Sequence, residues 1–112
     1  MSLSSEKIGE VQVVSVAGQV NSANASEVEA GLLAAIGKDE RRCVLDLAQL
    51  DYISSAGLRV VLMLAKRLKQ NSGQLVLCGL QPNVTEVFEI SGFLSILTVV
   101  PDRAAALGKL AG

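Results

Sequence analysis

An α/β fold, one small domain with a mixed, mainly parallel sheet, follows from three features of the chain. Its 112 residues are enough for a single core and too few for two, so residues 1–112 read as one domain. Half of the residues are hydrophobic but only 3% are aromatic, so the core has to be packed from Val, Leu, Ile and Ala. Short β-branched runs alternate with stretches whose apolar residues recur at helical spacing. That order places crossover helices between parallel strands, with an antiparallel strand at the N-terminal side and helices flanking the sheet.

The elements follow in order. Val11 to Ala17 is β-branched and partly alternating, and Leu3 to Ile8 can pair with it across a turn at Gly9-Glu10, giving an opening hairpin. Gly18 is expected to break the second strand, and the polar segment from Gln19 to Asn24 to form a surface loop. A helix is expected from Ala25 or Ser26, with Val28, Leu32, Leu33 and Ile36 inward, Glu27 and Glu29 at its positive end and Gly37 as its stop. After the charged link Lys38 to Arg42, the apolar run Cys43 to Leu47 fits a central strand.

A loop and a second helix come next, with Leu58, Val61, Leu62, Ala65 and Leu68 as its core stripe and Arg59, Met63, Lys66 and Gln70 on the far side. Asn71-Ser72-Gly73 ends that helix. Gln74 to Cys78 reads as another strand, and Pro82 introduces a helix over Asn83 to Ile90. Ile96 to Val100 is a last short strand, and Pro101-Asp102 begins an Ala-rich terminal helix.

Composition removes several functions. The formal net charge is -1 with both signs mixed along the chain, which offers no basic face to nucleic acid or to a membrane surface. There is no histidine, so His-dependent triads and His-ligated metals are excluded within this chain, and no cofactor or metal is expected. Cys43 and Cys78 lie in apolar runs and read as small buried hydrophobes that stay reduced. The N-terminal stretch has no signal-like apolar segment and no run is long enough to span a bilayer, so a cytoplasmic location is expected. Asp46 and Asp51 could suggest paired carboxylates, but no basic partner or third ligand stands near them in sequence. Local turn bonding accounts for Asp51 more simply.

Chemistry concentrates at Tyr52-Ile53-Ser54-Ser55-Ala56-Gly57-Leu58, where the second helix begins. Serine is among the best N-caps and contributes about 0.5–2 kcal/mol over alanine, which is reason enough for one serine here. A second serine in the first turn stands among unpaired N–H groups at the positive end of the helix dipole, where a phosphate would be tolerated. The two readings are compatible: Ser54 can cap while Ser55 points outward. Gly57 leaves room for a close approach at the helix start.

In these residues the sequence resembles the STAS family of anti-sigma factor antagonists, whose mark is an aromatic-hydrophobic-(Asp/Ser)-Ser-(Ser/Thr/Ala)-Gly-Leu run at a helix start. The likeness extends over nearly the whole chain and implies the mixed sheet flanked by helices already read from the pattern. It also implies that Ser55, two places before Gly57, is phosphorylated by a partner kinase. A second family motif appears as Gly18-Gln19-Val20-Asn21, where Asn21 takes the place of an acidic residue near the kinase, keeping its hydrogen-bonding shape without its charge.

The resemblance implies an anti-sigma factor antagonist that is no enzyme and has no catalytic residue. When unphosphorylated it would bind an ATP-dependent anti-sigma serine kinase. Phosphorylation of Ser55 would end the binding, and a PP2C-type phosphatase would restore it. Asn21, Ser54, Ser55, Gly57, Arg59, Met63 and Lys66 are the expected partner-binding residues. The alternative is a structural STAS subunit of a transport or signalling complex that docks permanently through the same helix. A serine hydrolase is disfavoured, because Ser55 has no histidine and no Gly-x-Ser-x-Gly elbow is present.

Overall fold

The computed structural model describes residues 1–37 and 39–110. Strands β1 (Ser2–Ile8) and β2 (Val11–Val20) form the opening hairpin and lead into α1 (Ala25–Ala35). Then come β3 (Arg42–Asp46), β4 (Leu50–Ile53), α2 (Ser55–Gln70), β5 (Gln74–Cys78) and α3 (Pro82–Ile90). A 3-10 turn (Phe93–Ser95), β6 (Thr98–Val100) and α4 (Arg103–Leu110) close the described chain. Lys38, in the charged link after α1, lies outside the described residues.

The sheet runs β1-β2-β3-β5-β6, antiparallel between β1 and β2 and parallel elsewhere, as the α/β reading requires. Its register sorts the core between two faces. Val13, Val44 and Val76 stand side by side on one face, which the Ala106 and Leu110 side chains of α4 cover. Val14, Leu45 and Leu77 point the other way, into the larger cluster with Leu32 of α1, Leu64 of α2 and Phe88 of α3.

Three expectations need correction. The second strand does not stop at Gly18. Its φ of +90° kinks the chain, a bulge shifts the register between Gly18 and Gln19, and pairing resumes on β4 through Val20 and Ile53. The loop before the second helix contains β4 itself, which extends the edge of β3 along β2. Within α2 the core stripe is Leu58, Val60, Val61, Leu64 and Leu68, whereas Leu62 and Ala65 are only half-buried. The sheet and α1 both pack on this helix, so the covered arc is turned toward Val60 and Leu64.

Candidate functional site

The start of α2 is fixed by the strand before it. Ile53 is buried at the end of β4, and the Ser54 N–H donates to the Val20 carbonyl at 2.8 Å, which ties the helix start to the end of β2. Ser54 is extended (φ -89°, ψ 173°), and its hydroxyl oxygen accepts from the Gly57 N–H at 3.2 Å. That is an N-cap, satisfying one of the donors that a helix start leaves open.

Ser55 is the first residue of α2, and its side chain is exposed. Among the described residues no hydrogen bond holds its hydroxyl, and no acidic residue lies in the first turn to compete with an anion there. Division of labour between the two serines is therefore physical: Ser54 is committed to the backbone, and Ser55 is open to solvent.

Gly57 is buried, and the close approach it allows is internal. A Cβ there would stand 2.7 Å from Ile53 Cγ1 and 2.8 Å from Val20 Cγ1, so the missing side chain serves the packing of α2 on β2 and β4 rather than an incoming surface. Asn21 builds the neighbouring loop. Its Oδ1 accepts from the Ala23 and Asn24 N–H groups at 2.9 and 3.1 Å, while Asn24 Oδ1 accepts from the Asn21 N–H at 2.8 Å. The bond from Ser54 to Val20 places this turn beside the α2 start.

Arg59 and Lys66 are exposed on the outer side of α2. Met63 between them is half-buried and touches the core from outside. All three border one groove, which also draws on Ile96 and Leu97. The structure thus gathers Asn21, Ser54 and Ser55 at one end of the helix and sets Arg59, Met63 and Lys66 along its flank. Sequence reasoning missed Arg67, Lys69 and Ile96 as groove residues; for the two cations, the absence of any acidic residue in α2 was the available signal.

The carboxylates do not form a pair. Asp46 Oδ2 accepts from Arg103 Nε at 3.1 Å, and the same guanidinium reaches Ser15 Oγ at 3.1 Å and Glu6. The basic partner that seemed absent near Asp46 comes from α4. Asp51 is exposed, and its backbone carbonyl accepts from the Asn83 side chain, a local tie between β4 and α3.

Both cysteines are free and buried. Burial, with Glu40 adding to it, pushes the Cys43 thiol up to about 12, and burial with Asp46 pushes Cys78 up to about 11, which disfavours the reactive thiolate. Among the described residues no group of three or more Cys, Asp or Glu side chains could hold a metal ion, and no helix is long and apolar enough to cross a membrane.

Comparison with known proteins agrees with this fold. The family model described as STAS domain matches residues 2–106. A protein of Bordetella bronchiseptica named "Putative anti-sigma factor antagonist BtrV" is 59% identical over 106 residues, covering 95% of this chain and 91% of the relative. In fold, the chain is similar to an anti-sigma factor antagonist from Mycobacterium paratuberculosis, with a TM-score of 0.87 at 21% identity over 99% of this chain and 96% of that one. It is also similar to part of the murine anion transporter Slc26a9, with a TM-score of 0.81 at 17% identity over 91% of this chain and 18% of the transporter.

Proposed function

The chain belongs to the STAS domain family, and from that premise we propose that it is an anti-sigma factor antagonist working by partner switching. Unphosphorylated, it binds an anti-sigma factor that is also an ATP-dependent serine kinase, and so frees whatever that kinase holds. Phosphate transfer to Ser55 releases it, and a PP2C-type phosphatase resets it. The chain is a substrate and a binding module of one domain, with no catalytic role of its own.

One observation carries this reading: Ser55 offers a solvent-exposed, uncommitted hydroxyl at the positive end of α2, while Ser54 alone supplies the cap. The cap survives modification, because the modified atom is not the capping atom. The 59% identity to a protein carrying the antagonist name supports the same function.

Site-resolved mass spectrometry of the protein from its native cells tests the assignment. Phosphate is expected on Ser55, in a fraction that rises when the phosphatase is inactivated. Phosphate confined to Ser54 would remove it.

The same fold occurs within part of Slc26a9, and a second reading makes α2 a permanent docking face. Permanent docking predicts that Ser55→Asp leaves partner affinity unchanged, whereas switching predicts that it falls.

A further inference from the structure

Helix α2 carries Arg59, Lys66, Arg67 and Lys69 and no acidic residue in its 16 positions. The whole chain has 10 basic and 11 acidic residues, so this helix is set apart in charge. Among the described residues none of the four cations takes part in an ion pair.

The helix dipole accounts for part of this. Arg67 and Lys69 sit in the last turn, where the negative end favours cations. It does not account for Lys66, or for Arg59, which stands near the positive end. These cations border an open groove of about 800 Å³ whose other lining, Gln70 aside, is apolar, with Met63 on the α2 side and Ile96 from beyond that helix. Ile96 is 69% exposed, a large aliphatic side chain in water at the rim of a concave surface.

We propose that this groove seats an acidic, amphipathic segment of the partner protein, its apolar side on Met63 and Ile96 and its carboxylates on Lys66, Lys69 and Arg59. The proposal rests on the partner-binding reading above and adds the chemistry of what is bound. Charge complementarity selects the sign of the segment, and the apolar wall selects a protein over a nucleic acid, which would need cations and stacking partners. No aromatic residue borders the groove. A flat anionic membrane would reach Ile96 at the rim without filling the concave surface beside Met63.

The groove is also coupled to the switch. Arg59 lies four positions after Ser55, on the same helix face, so a phosphate on Ser55 is within reach of its guanidinium. Phosphorylation then withdraws a cation from the groove at the end nearest the modified residue.

A titration of the isotope-labelled full chain, followed by NMR, tests this with a synthetic amphipathic helix of about 18 residues, five turns, bearing Leu on one face and Glu on the others. Its Glu-to-Gln counterpart and phosphatidylglycerol vesicles serve as the competing probes. Shifts are expected along the outer side of α2 and at Ile96 and Leu97, with the Glu peptide only. Lys66→Glu combined with Lys69→Glu should weaken binding about tenfold or more, and Ile96→Ser should weaken it too. Lys109→Glu, on α4, should not. Thermal unfolding of each variant at the parent value excludes misfolding as the cause.

Equal binding of the Gln peptide, indifference to the charge reversal, or binding of vesicles in place of the peptide overturns the proposal. The peptide needs no kinase, so the two readings fail separately. Phospho-Ser55 in cells with no peptide binding removes the groove alone. Peptide binding without phosphate on Ser55 removes the switch alone.

Discussion

At Gly57 the helix start lies so close to the sheet that one added methyl meets Ile53 Cγ1 and Val20 Cγ1, both near the backbone and unable to swing clear. Alanine would gain about 1 kcal/mol in helix propensity, but overpacking here costs about 1–3 kcal/mol, so Gly57→Ala is expected to lower the urea midpoint. Ser54→Ala should lose about 1 kcal/mol with the cap while leaving Ser55 open to modification. Equal phosphate transfer to parent and Ser54→Ala chains, measured beside that loss of stability, would separate capping from acceptor function. The cysteines give a pH dependence with a definite sign. Their folded values of about 12 and about 11 lie above the ordinary 9.0, so the native state holds these protons more tightly than the unfolded chain. Their contribution to stability is full below the ordinary value and falls as the pH rises from there toward 11. The urea midpoint should therefore drop as the pH rises from 9.0 toward about 11, and drop less in the Cys43→Ala, Cys78→Ala double variant.

Among the described elements, α4 is the helix that covers the face formed by Val11, Val13, Val44 and Val76, and Arg103 fastens its first turn to β1, β2 and β3 through Glu6, Ser15 and Asp46. Arg103→Ala is expected to loosen that cover and raise the binding of a hydrophobic dye such as ANS, with little loss of sheet signal in far-UV circular dichroism. Unchanged dye binding would mean that Ala106 and Leu110 hold the helix without it. This role was not legible in the sequence, because Arg103 stands 57 positions from Asp46 and nothing local joins them. The central strands were legible, since Cys43 to Leu45 and Leu75 to Cys78 are buried on both faces and read as continuous apolar runs. Strand β4 was not, because Leu50 and Ile53 are buried around two exposed residues and show no period of two. Its pairing depends on the kink at Gly18, which local pattern reads as a strand end.

For the molecule as a whole, the proposed switch requires that one phosphate reverse binding while the fold stays in place. The motif singled out Ser55, and the sequence allowed Ser54 to cap while Ser55 points outward; geometry assigns the cap, because the Ser54 hydroxyl accepts from the Gly57 N–H. A phosphoserine adds about -1.5 to -2 charges at neutral pH, and the dipole and open N–H groups of α2, together with Arg59, favour that charge where it stands. The free domain should therefore lose little stability on modification. At an interface shaped for a small neutral hydroxyl, the same group must shed water against a facing surface that offers it no partner, at a cost of several kcal/mol. A loss of about 3–4 kcal/mol already lowers affinity several-hundred-fold. Accordingly, Ser55→Ala is expected to bind the kinase constitutively and the phosphoprotein and Ser55→Asp to bind weakly, while all of them melt within a few degrees of one another. Calorimetric titration and thermal unfolding of the same samples decide the matter: an affinity that falls only in step with a large loss of stability would make the switch an unfolding event.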